Sequence, residues 1–306
     1  MREILVDCDP GWDDAIALML LLVETGRLHV RVVGAVHGNR SVEETCRFAG
    51  EALELCGRRD IPLGLGAARP LCEPPPGAST WIDSAQPTLK HTQQLPLKSI
   101  ASEEAYQLYA QSIVEAERPI TLVALGPLTN VARLLMEFPG AISKIEQIVL
   151  LGGAVRKGNV TPVAEFNFFM DAKAASIVVS APIPKTIIPA DIAAAAPLPP
   201  RTFSALKSLR HKVPRAAVDL IEQYSALFGA KLDRGEVAIY DAFVPILLLR
   251  PNAFSAKSGR ADVISDMGAE HGKLTFVDDR SSPTRIVTAI NSMSAHRQFL
   301  TTMSRW

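Results

Sequence analysis

The sequence predicts an α/β fold, an open and mostly parallel sheet flanked by helices. Three observations carry this. Short β-branched runs alternate with helical patterns, most of them nine residues or longer, the signature of βαβ units. The 306 residues are 48% apolar and 21% charged, an ordinary balance for a soluble globular enzyme. Lys plus Arg and Asp plus Glu both number 32, so neither a basic surface for nucleic acid nor an acidic tail is expected.

The predicted strands lie at 3–7, 30–36, 120–124, 147–151, 187–189 and 259–263, and the predicted helices at 12–24, 41–56, 103–116, 127–138, 172–180, 214–231 and 242–249. No internal repeat or low-complexity segment interrupts them. The chain 1–306 therefore reads as a single domain. The stretch at about 64–99 lacks periodicity and contains Glu73-Pro74-Pro75-Pro76-Gly77. Strand–helix alternation resumes beyond it, so it reads as a functional flap rather than a linker.

The chain begins directly with the apolar strand Ile4-Leu5-Val6, without a basic segment and long apolar core, so no signal peptide is expected. The longest apolar run, Ala15 to Val23, is too short to span a bilayer. Cys8, Cys46, Cys56 and Cys72 form no CxxC pair, and they read as reduced thiols of a cytoplasmic protein.

In open parallel sheets ligands bind beyond the carboxyl ends of the strands. After the first strand the sequence reads Asp7-Cys8-Asp9-Pro10-Gly11-Trp12-Asp13-Asp14-Ala15, with four aspartates inside eight residues. Carboxylates this close repel unless a cation compensates them, and hard oxygen ligands suit Ca²⁺ or Mg²⁺. Helix capping by Asp13 and Asp14 accounts for one or two of them, and leaves Asp7 and Asp9 unexplained. An Asp-x-Asp after a first strand also resembles the start of the haloacid-dehalogenase-like phosphatases, in which Asp7 would be a nucleophile, but Pro-Gly-Trp-Asp-Asp follows it here.

The segment from Asp7 to Ala15 resembles the N-terminal signature of the inosine–uridine nucleoside hydrolase family, Asp-x-Asp-Pro-Gly-x-Asp-Asp-Ala. Further similarities follow in order: Gly38-Asn39, Leu125-Gly126-Pro127-Leu128-Thr129-Asn130, Gly152-Gly153, Gly158-Asn159, Ala164-Glu165-Phe166-Asn167, Asp171 and Tyr240-Asp241-Ala242. The resemblance implies hydrolysis of the bond between ribose and a nucleobase. It implies that Asp9, Asp14, Asp241 and the carbonyl of Leu125 hold Ca²⁺, and that Asp13 is the general base. Asn39, Asn159, Glu165 and Asn167 would bind the ribose, with Asp7 as a supporting or ribose contact. The implied partner is a small nucleoside, with no nucleic acid polymer and no membrane, and a homodimer or homotetramer is expected.

Each residue has a plainer reading as well. Asn39 and Asn159 stand beside glycines and suit turns. Glu165 and Asn167 suit a surface strand or turn, and Asp241 suits a helix N-cap.

Two departures concern the leaving base. Tyr240 stands where many members have the His that protonates it, and the flap reads Ala78-Ser79-Thr80-Trp81-Ile82-Asp83, without the His-Gly common there. Trp81 and Tyr240 are expected to stack on the base, which predicts a preference for purine nucleosides. His37 and His91 are alternative proton donors, and Tyr224 is a candidate for the base pocket. A nucleoside-binding protein without turnover is a competing reading, against which Asp13 argues. Phosphorolysis lacks an Arg cluster or glycine-rich nest for phosphate.

Overall fold

A computed structural model describes residues 1–75, 87–89, 104–228 and 237–306. Among the described residues nine strands form one sheet in the order β3-β2-β1-β4-β5-β6-β9-β7-β8. β1 (Arg2–Cys8), β2 (Leu28–Ala35), β3 (Leu63–Leu65), β4 (Ile120–Ala124), β5 (Ile145–Leu151) and β6 (Lys185–Ile188) run parallel. β9 (Thr284–Ile290) is parallel to β6. β7 (Phe254–Val263) and β8 (Leu274–Asp278) complete the sheet through antiparallel pairs.

Strand alternation sends β1 to two cores. Ile4, Val6 and Cys8 pack with α1 (Trp12–Val23), α2 (Val42–Leu55), α9 (Lys212–Phe228), α10 (Phe243–Leu249) and α11 (Ser292–Met303). Leu5 faces the other side, against α3 (Ala105–Glu115), α4 (Thr129–Glu137) and α6 (Ala172–Ser180). Helix α1 is apolar all round, and Asp14 through Leu22 are buried, as expected for a helix enclosed by others. Three further helices, α5 (Phe166–Met170), α7 (Ala190–Ala194) and α8 (Pro200–Lys207), occupy the connections.

The topology fixes where a ligand can bind. From β1 the chain moves to β2 on one side, while β4 pairs with β1 on the other. The crevice between these connections opens beyond Cys8, Ala35 and Ala124, at the carboxyl edge.

Several elements differ from the sequence expectation. The strand expected at 259–263 begins at Phe254, and β8, β9 and α11 were not expected. β7 alternates between exposed and partly buried residues, and β8 is half exposed, so neither shows the apolar run of the central strands. The segment expected at 187–189 is β6, two residues earlier. The helix expected at 214–231 starts at Lys212, with Pro214 in its first turn, and Lys231 lies outside the described residues. No helix among the described residues is long and apolar enough to cross a membrane.

Leu5 is fully buried between β2 and β4. Leu5→Ala is expected to lower the unfolding free energy by about 3 kcal/mol in urea titrations. A loss below about 1 kcal/mol would contradict its place in a close-packed core.

Candidate active site

Asp9 follows β1 and is almost completely buried. The main-chain N–H of Asn39 donates to Asp9 Oδ2 at 2.8 Å, and Asn39 Nδ2 donates to the Asp9 carbonyl at 2.9 Å. A Cβ at Gly38 would overlap Asp9 Oδ2, and one at Gly126 would overlap Oδ1. The loops after β2 and β4 thus need glycine to close on this carboxylate.

Pro10-Gly11 turns the chain into α1. Asp14 Oδ2 accepts the Gly11 N–H at 3.0 Å, which ties the first turn of the helix. The capping role foreseen for Asp14 is therefore real, but it uses one oxygen. Asp14 Oδ1 is buried with no hydrogen-bond partner, and so is Asp241 Oδ1. Oxygens of Asp13, Asp14 and Asp241 lie within 4.8 Å of one another. Asp241 does not cap α10, whose N-cap is Ala242.

Burial, followed by the neighbouring Asp14 carboxylate, drives Asp9 and Asp241 well above the usual carboxylate range. The same two causes push Asp13 up to about 7. Burial also raises Asp14. Without a cation, protons must replace the missing charge. The two orphaned oxygens and Asp13 form an all-oxygen donor set that fits a hard divalent cation, and Asp9 lies near enough to repel Asp14 and Asp241. The Leu125 carbonyl, at the end of β4, accepts Asn167 Nδ2 at 2.6 Å and keeps its second lone pair.

The expected sugar-binding residues are brought to the same edge, partly in structural work. Glu165 is the N-cap of α5. Its Oε1 accepts the N–H of Asn167 at 2.9 Å, and its Oε2 accepts those of Gly153 at 2.8 Å and Phe168 at 3.2 Å. Burial still lifts this carboxyl to about 7. Asn159 is exposed, and its Oδ1 accepts the Phe166 N–H at 2.9 Å. Asp7 is fully buried on the α3/α4 side of the sheet. Its Oδ1 accepts Tyr109 Oη–H and Asn130 Nδ2–H, both at 2.7 Å. Asn130 Nδ2 also donates to the Ala35 carbonyl, and its Oδ1 accepts the Ala67 N–H. Asp7 therefore fastens the end of β1 to its surroundings. Nothing in the sequence pattern sets Tyr109 apart from the apolar residues on the buried side of α3.

Aromatic rings line the α1–α9 side. Trp12 meets Tyr224 edge-on, with ring centroids 5.8 Å apart. Tyr224 and Tyr240 are half-buried. Burial and the Asp13 carboxylate raise both phenols, and each therefore stays protonated as a hydrogen-bond donor. Trp12, unmarked as a site residue in the sequence, occupies the variable position of the acidic signature. Trp81 and His91 lie outside the described residues. His37, considered as a proton donor, is buried, bonds to Thr129 Oγ1 at 2.9 Å, and is held down to about 4 by burial. It is neutral at neutral pH, so it lacks the imidazolium proton that a general acid would pass to a leaving base.

Comparison with known proteins agrees with this geometry. The sequence model of the family described as inosine-uridine preferring nucleoside hydrolase matches residues 4–297. The pyrimidine-specific ribonucleoside hydrolase RihA of Shewanella woodyi is 34% identical over 287 residues, covering 91% of this chain and 88% of its own. Among solved structures, the plant nucleoside hydrolase PpNRh1 superposes with a TM-score of 0.86 at 21% identity, covering 99% of each chain. A purine-preferring ribonucleoside hydrolase from Gardnerella vaginalis gives 0.84 at 20% identity, covering 99% of this chain and 98% of its own.

The crowded carboxylates have a consequence for stability. A carboxyl raised on folding stabilises the folded state fully below its unfolded value near 4, and that stability is lost as pH rises through about 7. In chelator, the melting temperature is expected to fall between pH 5 and pH 8. Asp241→Asn should flatten that fall and raise the cation-free melting temperature at pH 8 by a few degrees, roughly 1 kcal/mol or more. A wild-type protein equally stable at both pH values would contradict the repulsion.

Proposed function

Because the chain belongs to the inosine-uridine preferring nucleoside hydrolase family, we propose that it is a Ca²⁺-dependent hydrolase of pyrimidine ribonucleosides, releasing free base and ribose. The observation that carries this reading is the pair of orphaned oxygens on Asp14 and Asp241 beside the half-buried, accessible Asp13. Asp9, Asp14, Asp241 and the Leu125 carbonyl would hold the cation. When bound, it supplies the positive charge that offsets their repulsion and makes a nearby water easier to deprotonate.

Asp13 is the general base. It takes one proton from the attacking water while the oxygen of that water bonds to C1′ and the bond from C1′ to the base nitrogen breaks. The electron pair of the breaking bond leaves with the base, which regains a proton from its surroundings. Positive charge develops on the sugar ring, as in other glycoside cleavage, and the surrounding carboxylates stabilise it. Asn39, Asn159 and Asn167 offer amide donors and acceptors for ribose hydroxyls, and Glu165 holds the loop that presents Asn167.

Tyr224 and Tyr240 are suited to hydrogen-bond the carbonyl oxygens of a pyrimidine as negative charge gathers there. The pyrimidine reading follows the RihA relatives, named pyrimidine-specific, at 34% identity. The purine-preferring neighbour is 20% identical and supports the fold alone. The expectation of purine stacking rested on Tyr240 together with Trp81, and Trp81 lies outside the described residues. The phosphatase alternative is disfavoured because Asp7 is fully buried and bonded to Tyr109 and Asn130.

Ribose release from uridine, cytidine, inosine, adenosine and guanosine, with and without chelator, tests the proposal. Release from uridine and cytidine is expected, lost in chelator and reduced about 10²- to 10⁴-fold in Asp13→Ala. Release confined to purines would overturn the base preference. No release from any of the five would overturn the hydrolase reading.

A further inference from the structure

A second buried polar chain lies beside the carboxylate cluster and belongs to none of the roles above. Asp171, the N-cap of α6, is fully buried, as is Thr129, the first residue of α4. Thr129 Oγ1 donates to Asp171 Oδ2 at 2.7 Å. His37 Nε2 lies 2.9 Å from the same Oγ1. Asp171 also accepts the Leu71 N–H at Oδ2, 2.7 Å, and the Ala174 N–H at Oδ1, 3.0 Å.

Proton counting orders this chain. The Asp171 carboxylate faces three donors and acts as acceptor. Thr129 has one hydroxyl proton, which goes to Asp171, so its lone pair accepts from His37. His37 must then carry its proton on Nε2. Burial and nearby Arg133 keep the ring neutral. The His37 main chain is fixed as well, since its N–H donates to the Ala67 carbonyl at 3.1 Å. Two residues later the Asn39 N–H grips Asp9.

We propose that His37 is a positioning residue for sugar binding, its Nε2–H tautomer locked through Thr129 by Asp171 so that the Gly38-Asn39 turn is held in register with Asp9. Asn39 is placed at the ribose by the proposed function, and the inference rests on that reading. His37 itself touches no substrate. The chain joins the loop after β2, the start of α4, the cap of α6 and the segment after β3, so one hydroxyl sets the sugar-binding turn relative to three elements.

The test combines nitrogen-15 spectra of the histidine rings with calorimetric titration of free ribose into the Ca²⁺-loaded protein. In the wild type at pH 7, His37 is expected as the neutral Nε2–H tautomer. Thr129→Val, which keeps the shape and removes the hydroxyl, should weaken ribose binding and raise the nucleoside KM together by about tenfold, with kcat within about threefold. Thr129→Ser should restore both. A His37 ring found as the Nδ1–H form or as imidazolium would overturn the proposal. So would Thr129→Val binding ribose as the wild type does, or Thr129→Ser failing like Thr129→Val. Should Thr129→Val not fold, His37→Gln, whose amide nitrogen can still donate to Thr129, is expected to keep ribose affinity that His37→Leu loses, and equal affinities would overturn it. Ribose binding without hydrolysis of any nucleoside would refute the function alone. Absence of ribose binding in a wild type that still hydrolyses nucleosides would overturn the positioning role alone, and absence of both would overturn both.

Discussion

The fold brings four carboxylates, on Asp9, Asp13, Asp14 and Asp241, to one edge of a sheet in largely buried surroundings, and the rest of the site depends on how that charge is balanced. Desolvation and mutual repulsion both oppose it. A globular core has no reason to tolerate such a cluster for stability. It persists because surrounding elements hold it by other means. Asn39 and Gly11 donate main-chain N–H groups to Asp9 and Asp14, and apolar α1 anchors the acidic turn deep between its neighbours.

The position of the cluster follows from topology. β1 lies inside the sheet, with β2 and β4 on its two sides, so the connections diverge above its end and leave a crevice. Glycines at 38 and 126 let the flanking loops close onto Asp9. Asp241 arrives from the turn before α10 and completes the cluster. Behind it, Asp7 with Tyr109 and Asn130, and Asp171 with Thr129 and His37, form two buried polar groups that tie the strand ends to the helices. Each group is a hydrogen-bonded set with a single carboxylate, standing behind the charged front.

The legible parts of the sequence were those where local pattern and tertiary role coincide. β4 and α6 fall where the periodicity places them, at Ile120–Ala124 and Ala172–Ser180. The density of aspartates from Asp7 to Asp14 pointed to the candidate site without any structure. α11 escaped because its buried face includes His296, Gln298 and Thr302, which blurs the apolar period. β3 and α5 are too short, at three and five residues, to show a period. Tyr109 and Trp12 acquire their meaning only through contacts with distant residues. Glu165 was expected at the sugar, and the structure shows its carboxylate first as a helix cap with three N–H donors, a role that any acidic residue before a short helix can take.

With their affinity for protons raised, these carboxylates hold protons where a divalent cation would otherwise balance them. Titrating Ca²⁺ into the chelator-treated protein at pH 7, by calorimetry in two buffers of different ionisation enthalpy, counts the protons released on binding. The account predicts one Ca²⁺ per chain, bound with release of at least about one proton. Binding without proton release, or no binding at all, would contradict it.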